Sequence, residues 1–501
     1  MKYRLMLAVK CTVFIAVALI CVGTVNNILI PKNYFNQNWP TTNTYTDFYK
    51  LEKNTVDVLL FGSSHAASSL NPQVIYDTYG IRSYNLSCEQ QSPVITYFWL
   101  REALKYQSPS VMVLDTYTFH KYIDCYVYNN MNSSEAHVHK ALDCMKLSPL
   151  KVEAGMAIEK VDPTQIGLSF PLLNIRYHSR WKSLGEDDFS LKEMVEHGGI
   201  KGFTALGGVS EGAKDITFRA EDAEAAEAEP MVKIADEYLG KIVDLCRDKK
   251  IELVFINIPC GEPIERYKAT KEYADAHGIP FFDFNEEELY HEIGYNREKD
   301  LISHPNYHGA EKVSLYIGKL LRDRYHVPAF KDLSFDKSRE VYEHRVKNLD
   351  LQEMTDAYQY LNRINDPDYA VFALVPNKIG ECIDKSFADE WHNLGFTVDL
   401  REVSDGEKYC AAKADSMTEK HTTDDFVFSG SIRNGLEMYR FTIDTTNMSK
   451  KYHKYSMFVA GAECGSHNPG INIVVYDTDF RMIVDKVNIN TTIPEMTMTR
   501  Y

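Results

Sequence analysis

Val56-Asp57-Val58-Leu59-Leu60-Phe61-Gly62-Ser63-Ser64-His65 is the stretch whose reading decides the fold. An apolar run compatible with a buried strand ends in a glycine, two serines and a histidine. A second run, Val111-Met112-Val113-Leu114-Asp115, ends in a carboxylate. Far downstream, Asp300-Leu301-Ile302-Ser303-His304-Pro305-Asn306 precedes an amphipathic helix. Strand-end residues gathered from distant points of a chain are how an open α/β sheet builds a site.

The segments between these runs carry the same signal. Asn71-Pro72 opens a short helix that Gly80 closes, and Ser92-Pro93 opens another bearing Ile95, Phe98, Trp99 and Ala103. Asparagine at the cap satisfies orphan amides, and proline in the first turn has none to satisfy. A short strand, Ser83-Tyr84-Asn85-Leu86, lies between them. Residues 231–248 form an amphipathic helix that feeds the strand Leu253-Val254-Phe255-Ile256. A helix over 266–277, a short strand at Pro280 to Phe284 and a helix over 309–322 follow. Apolar strands alternating with helices predict βαβ units and a parallel sheet.

At 501 residues the chain exceeds one ordinary core, so two soluble domains are expected. A net charge of −16 argues against a nucleic-acid partner, which calls for a basic patch. The ten cysteines form no CxxC, so a zinc site of cysteine type has no support. Cys410 and Cys464 are either unpaired small apolar residues or one bridge.

Lys2, Arg4 and Lys10 precede an uncharged stretch from Cys11 to Ile30. A helix of about 20 residues spans the hydrocarbon core, and positive charge before it favours an N-in orientation. The expected organisation is a transmembrane anchor over 1–31, a stalk over 32–50, and an α/β domain over 51–330. A helical connector over 331–366 and a smaller β-rich or α+β domain over 367–501 follow. The chain is thus read as a single-pass protein of the cell membrane with its bulk extracytoplasmic. A cleaved signal peptide and a buried helix are the rival readings of the first stretch.

The chemistry is read from the strand ends. Gly62 lets the chain turn sharply, and Ser64 then stands where a helix begins, with backbone amides near a developing oxyanion. A serine hydroxyl needs a base, and the base gains from a group that holds its tautomer. Ser64 is the candidate nucleophile, His304 its base and Asp300 the carboxylate expected to orient that base. The bland reading makes the serines helix caps and His304 a polar turn residue. His65 and Asp115 are candidates for substrate contact. So is the cluster Tyr177-His178-Ser179-Arg180-Trp181, where Arg180 suits a phosphate or carboxylate and Trp181 suits a sugar face. The alternative is a surface loop. A metal site built on His65, His304 and His308 matches no standard spacing, and no metal or cofactor is expected.

Phe61-Gly62-Ser63-Ser64-His65, Ser83-Tyr84-Asn85-Leu86 with Gln90-Gln91, and His304-Pro305-Asn306-Tyr307-His308-Gly309-Ala310 resemble successive blocks of the SGNH (GDSL-type) hydrolase superfamily. The flavour is that of its DltD-like, membrane-anchored branch in Gram-positive bacteria. The resemblance covers roughly 50–330 and implies a flavodoxin-like three-layer fold. It also implies esterase or O-acyl transfer chemistry through an acyl-enzyme, with the family serine at Ser64 and the histidine at His304. The chain departs from the pattern at three places. Leu301 stands where the family aspartate precedes the histidine, the second-block glycine has no match beyond Ser87, and Asp115-Thr116 replaces the third-block asparagine. Ser64 and Ser87 are therefore the oxyanion candidates, through their backbone amides.

Pro469 to Asp477, continued by Val484 to Thr491, is similar to the core of ILEI/FAM3-type domains. Two functional classes follow. One is a serine esterase or O-acyltransferase modifying a cell-surface polysaccharide or related envelope polymer. The other is a degenerate SGNH-fold protein acting in glycan binding or envelope assembly. The expected partners are a cell-surface glycan or acylated envelope polymer, the membrane through the first helix, and envelope-assembly proteins.

Overall fold

The structure, a computed structural model, describes residues 2–29, 41–120, 141–189, 199–210, 218, 226–376, 378–444, 454–466 and 468–501. The chain divides into two compact units, Met1–Glu343 and His344–Tyr501.

The first unit begins with helix α1, Lys2–Leu29, whose apolar side chains from Tyr3 to Val25 stand exposed. It is long and apolar enough to cross a membrane. Part of the expected stalk, residues 32–40, lies outside the described residues. The rest is not a stalk: helix α2, Thr41–Phe48, buries Tyr45 and Phe48 in the core. Tyr45 stacks on Trp99 with ring centroids 4.3 Å apart, and its hydroxyl donates to Gln91 Oε1.

Five parallel strands follow: β1 Val58–Phe61, β2 Ser83–Asn85, β3 Val111–Asp115, β4 Glu252–Asn257 and β5 Phe281–Asp283. Their order is β2-β1-β3-β4-β5. Side chains alternate between the two faces because the strand period is two. Leu59, Phe61, Met112, Leu114 and Phe255 enter one core with Phe98 and Trp99 of helix α5, Pro93–Ala103. Val58, Leu60, Val111, Val113 and Val254 enter the other with Ile75 of helix α4, Pro72–Tyr79. Burial on both faces explains why the strands read as unbroken apolar runs. Each fully buried side chain of this size contributes about 1.5–3 kcal/mol. The helix signals also hold locally: Asn71 Oδ1 accepts the amide of Gln73 at 2.9 Å, and Gly80 ends α4 at φ 68°.

Further helices of this unit among the described residues include α3 Ser64–Ser69, α6 Pro149–Val161, α7 Asn174–Tyr177, α8 Lys233–Lys249, α9 Ile264–His277, α10 Glu287–Glu292, α11 Arg297–Asp300 and α12 Tyr307–Asp323. The order reverses around β1 and β3, where a doubly wound sheet opens a crevice at its carboxyl edge. Ser64 follows β1 and Asp115 ends β3, so both stand at that edge.

The stretch expected as a connector is structured. Helix α13, Ser334–Glu353, contains the division between the units, and helix α14, Ala357–Ile364, buries Tyr360, Leu361 and Ile364 in the second unit's core. That unit holds two antiparallel sheets. The six-stranded one orders β15 Met498–Arg500, β14 Met482–Ile489, β13 Ile471–Asp477, β6 Tyr369–Val375, β7 Lys408–Lys413 and β8 Met417–Thr422. The four-stranded one orders β12 Ala462–Glu463, β11 Lys454–Val459, β10 Glu437–Asp444 and β9 Phe426–Ile432. Val371 and Ala373 face Phe387 and Trp391 of helix α15, Lys385–Asn393, while Phe372 and Leu374 face Phe441 and Met457 of the smaller sheet. Cys410 and Cys464 both lie in this inter-sheet core as thiols, without a bridge.

Candidate functional site

The turn after β1 is shaped by what surrounds it. A Cβ on Gly62 would stand 2.6 Å from the Cβ atoms of both Ala66 and Asp115, so only glycine fits. Ser63 is the N-cap of α3: its Oγ accepts the amide of His65 at 3.2 Å and donates to Asp115 Oδ2 at 3.1 Å. Asp115 is buried, and burial pushes its carboxyl up to about 6, against the lowering pull of the Ser63 hydroxyl and neighbouring backbone amides. The carboxylate therefore braces the serine turn. It is not open to a substrate, contrary to the expectation of a substrate contact.

Ser64 opens α3 and is half-buried. Its Oγ lies 2.8 Å from Nε2 of His304. His304 belongs to a tight turn in which Leu301 and Pro305 pair and the amide of Ile302 donates to the His304 carbonyl at 3.0 Å. Asn306 caps α12, its Oδ1 taking the amide of Gly309 at 3.1 Å and its Nδ2 donating to the carbonyls of Lys299 and Gly208. A Cβ on Gly309 would meet the Asp300 carbonyl oxygen at 2.5 Å, so this glycine lets α12 press against the preceding loop. The turn is thus fixed from both ends, and the ring it carries is aimed at the end of β1.

Asp300 does not orient the ring. Its Oδ2 takes Lys312 Nζ at 2.5 Å and the amide of Asn296 at 2.7 Å. The side chain is buried and faces the first turns of α12, where Lys312 supplies the countercharge. At the other ring nitrogen, Ser303 Oγ lies 3.0 Å from His304 Nδ1. With Nδ1–H donating to Ser303, Nε2 carries the lone pair that faces Ser64.

His65 is buried against this pair. Its ring centroid stands 3.7 Å from that of Tyr117 and 4.7 Å from that of His304, edge to face with the latter. Ser87 lies one strand over: Leu60 pairs with Asn85 and the amide of Leu86 donates to the Leu60 carbonyl, so Ser87 follows beside the Phe61–Gly62 end. The cluster over 177–181 is elsewhere employed. Arg180 donates from Nη1 to the Leu29 carbonyl at 2.6 Å and from Nη2 to Asp188 Oδ1 at 2.7 Å. His178 Nδ1 lies 2.9 Å from the Ile175 carbonyl oxygen, and Trp181 is exposed. None of the three bonds to Ser64 or His304, and the Arg180 guanidinium expected to take a substrate phosphate or carboxylate is here bonded to the end of α1 and to Asp188. Among the described residues no group of His, Cys, Asp and Glu is arranged to hold a metal ion.

Sequence reasoning misses three contributors. Ser303 is hidden by its plain hydroxyl chemistry. Tyr117 sits just past β3 with no motif. Residues 199–210 run beside the site, Thr204 donating its amide to the Ala67 carbonyl and Ser210 to that of Leu301. The glycines in 199–208 are the one hint of such a close-packed strap.

No family model matches the chain, and no curated protein matches it. Among solved structures it is similar to a GDSL-like lipase from Bacteroides thetaiotaomicron, at 11% identity over 56% of this chain and 98% of that one, with a TM-score of 0.24. The likeness is weak and partial. This likeness gives no support to the DltD-like branch or to an ILEI/FAM3-type domain.

Proposed function

We propose that the chain is a membrane-anchored, extracytoplasmic serine esterase or O-acyltransferase of SGNH type, acting on a cell-surface polysaccharide or related envelope polymer. The observation that carries this reading is the 2.8 Å approach of Ser64 Oγ to His304 Nε2 across 240 residues of sequence. Hydrogen-bond reach between a hydroxyl and an imidazole is the first requirement of an activated serine.

In the proposed reaction Ser64 Oγ bonds to the acyl carbonyl carbon while its proton passes to His304 Nε2. Collapse of the tetrahedral intermediate breaks the ester C–O bond, and the leaving alcohol takes the proton from Nε2. Water or a sugar hydroxyl then gives its proton to Nε2 and attacks the acyl-enzyme, and Ser64 recovers its proton as it leaves. The backbone amides of Ser64 and Ser87 are the oxyanion donors in this scheme. Ser303 Oγ stands at the ring's other nitrogen, where it accepts from Nδ1–H when Nε2 is the base.

Asp300 bonding to Lys312 and the Asn296 amide in place of the ring is the observation favouring the second reading, a non-catalytic envelope protein on the same fold. Hydrolysis of p-nitrophenyl acetate by the full chain in detergent separates the two. The enzyme reading expects turnover that Ser64→Ala and His304→Ala each remove. Equal rates in wild type and Ser64→Ala would leave the binding reading standing.

A further inference from the structure

We infer that residues 166–189 form a platform lying on the bilayer, in the leaflet where α1 ends. The inference rests on reading α1 as a membrane span. At about 1.5 Å per residue its 28 residues reach about 42 Å, more than the hydrocarbon thickness of about 30 Å, so its ends stand among the headgroups. Arg180 donates to the carbonyl of Leu29, the last residue of that helix. This satisfies one of the orphan carbonyls of the helix end and places a cation at the negative end of its dipole. The contact brings the turn over 178–182 to headgroup depth.

The same run leaves its apolar side chains uncovered. Trp181 is 65% exposed, Phe189 61%, and Ile166 and Leu172 54% each. Among the described residues, of the twelve large apolar side chains exposed in the first unit beyond α1, five lie in 166–189 and three more between 147 and 156, so the exposure is concentrated and not scattered. Neither α7 nor the turn after it buries any residue, as expected of an element whose apolar partner is not protein. Tryptophan is enriched where lipid meets water, and Lys182, with its ammonium 5.6 Å from the Trp181 ring, suits a phosphate headgroup. Arg180 and Asp188 bind each other, so the charges nearest α1 are neutralised before they approach lipid.

The test uses the full chain in phosphatidylcholine–phosphatidylglycerol vesicles, with and without brominated acyl chains. Of the four tryptophans, Trp99 and Trp391 are buried and are poor targets for the quencher, and Trp39 is replaced by phenylalanine in every chain compared. The platform predicts that bromolipid quenches tryptophan emission and that Trp181→Phe lowers the quenched component about twofold or more. Phe189→Trp in that background should restore it. Unchanged quenching in Trp181→Phe, in a chain that resists alkaline extraction, would overturn the platform and leave the anchor intact. Release of the chain by alkali would overturn the anchor itself.

Discussion

Lys312 holds Asp300 at 2.5 Å, and the carboxylate makes its other bond to the Asn296 amide and none to the His304 ring. A triad aspartate replaced by asparagine costs about 10⁴ in kcat. Asp300→Asn should instead stay within about tenfold, because only the loop is disturbed. Lys312→Met should destabilise the full chain by about 1–3 kcal/mol, since the buried carboxylate loses its countercharge. Steady-state rates and denaturant melts check both. A loss of the larger size in Asp300→Asn would restore that carboxylate to the triad.

Ser303 supplies one neutral hydrogen bond to the ring. Its removal in Ser303→Ala should cost about 0.5–1.5 kcal/mol, or about two- to tenfold in kcat, with KM little changed. The pH–rate profile of the variant is the useful readout. A shift of its acidic limb marks a bond to the ring, while a flat loss at all pH values speaks for misplacement of the turn.

Asp115 makes stability depend on pH with a definite sign. Its carboxyl is raised to about 6 in the folded chain, above the ordinary value, so the folded state holds the proton more tightly. Stability is therefore greatest where the carboxyl is protonated and falls as pH rises from about 4 through about 6. Asp115→Asn keeps an acceptor for Ser63 and removes this penalty. Its advantage over wild type should be near zero below pH 4 and reach about 3 kcal/mol at most by pH 7. Urea melts at pH 4 and pH 7 measure it, and an advantage that shrinks with pH would contradict the assignment.

Gly309 leaves no room for a methyl group against the Asp300 carbonyl. Gly309→Ala should cost about 1–3 kcal/mol by overpacking. Because the atom it meets is backbone, the loop that ends in His304 moves too, and a misplacement of about 1 Å costs about 10²-fold in rate. Thermal melts and kinetics on the same preparation read the two effects separately.

The sheet is legible because Leu59, Val113 and Phe255 belong to strands buried on both faces, and such strands need unbroken apolar runs. Ser64 and His304 can be named from where the chain turns off a strand and into a helix. Asp300 shows where spacing stops helping. Its distance in sequence from His304 says nothing of the side to which the 301–305 turn folds, and its partner is a lysine 12 residues further on. Arg180 is harder still, since its acceptor, the Leu29 carbonyl, lies 151 residues away and leaves no trace in side-chain chemistry. Tyr45 and Phe48 are buried within a stretch of threonines and polar residues, so composition there suggests a stalk where tertiary packing makes a helix.

The most direct measurement treats the full chain in detergent with a serine-directed fluorophosphonate and locates the label by peptide mass. The account predicts labelling at Ser64, absent in Ser64→Ala and strongly slowed in His304→Ala, because the hydroxyl is nucleophilic only when Nε2 takes its proton. No label at Ser64 in a folded sample, or a label indifferent to His304, would contradict an activated serine at this site.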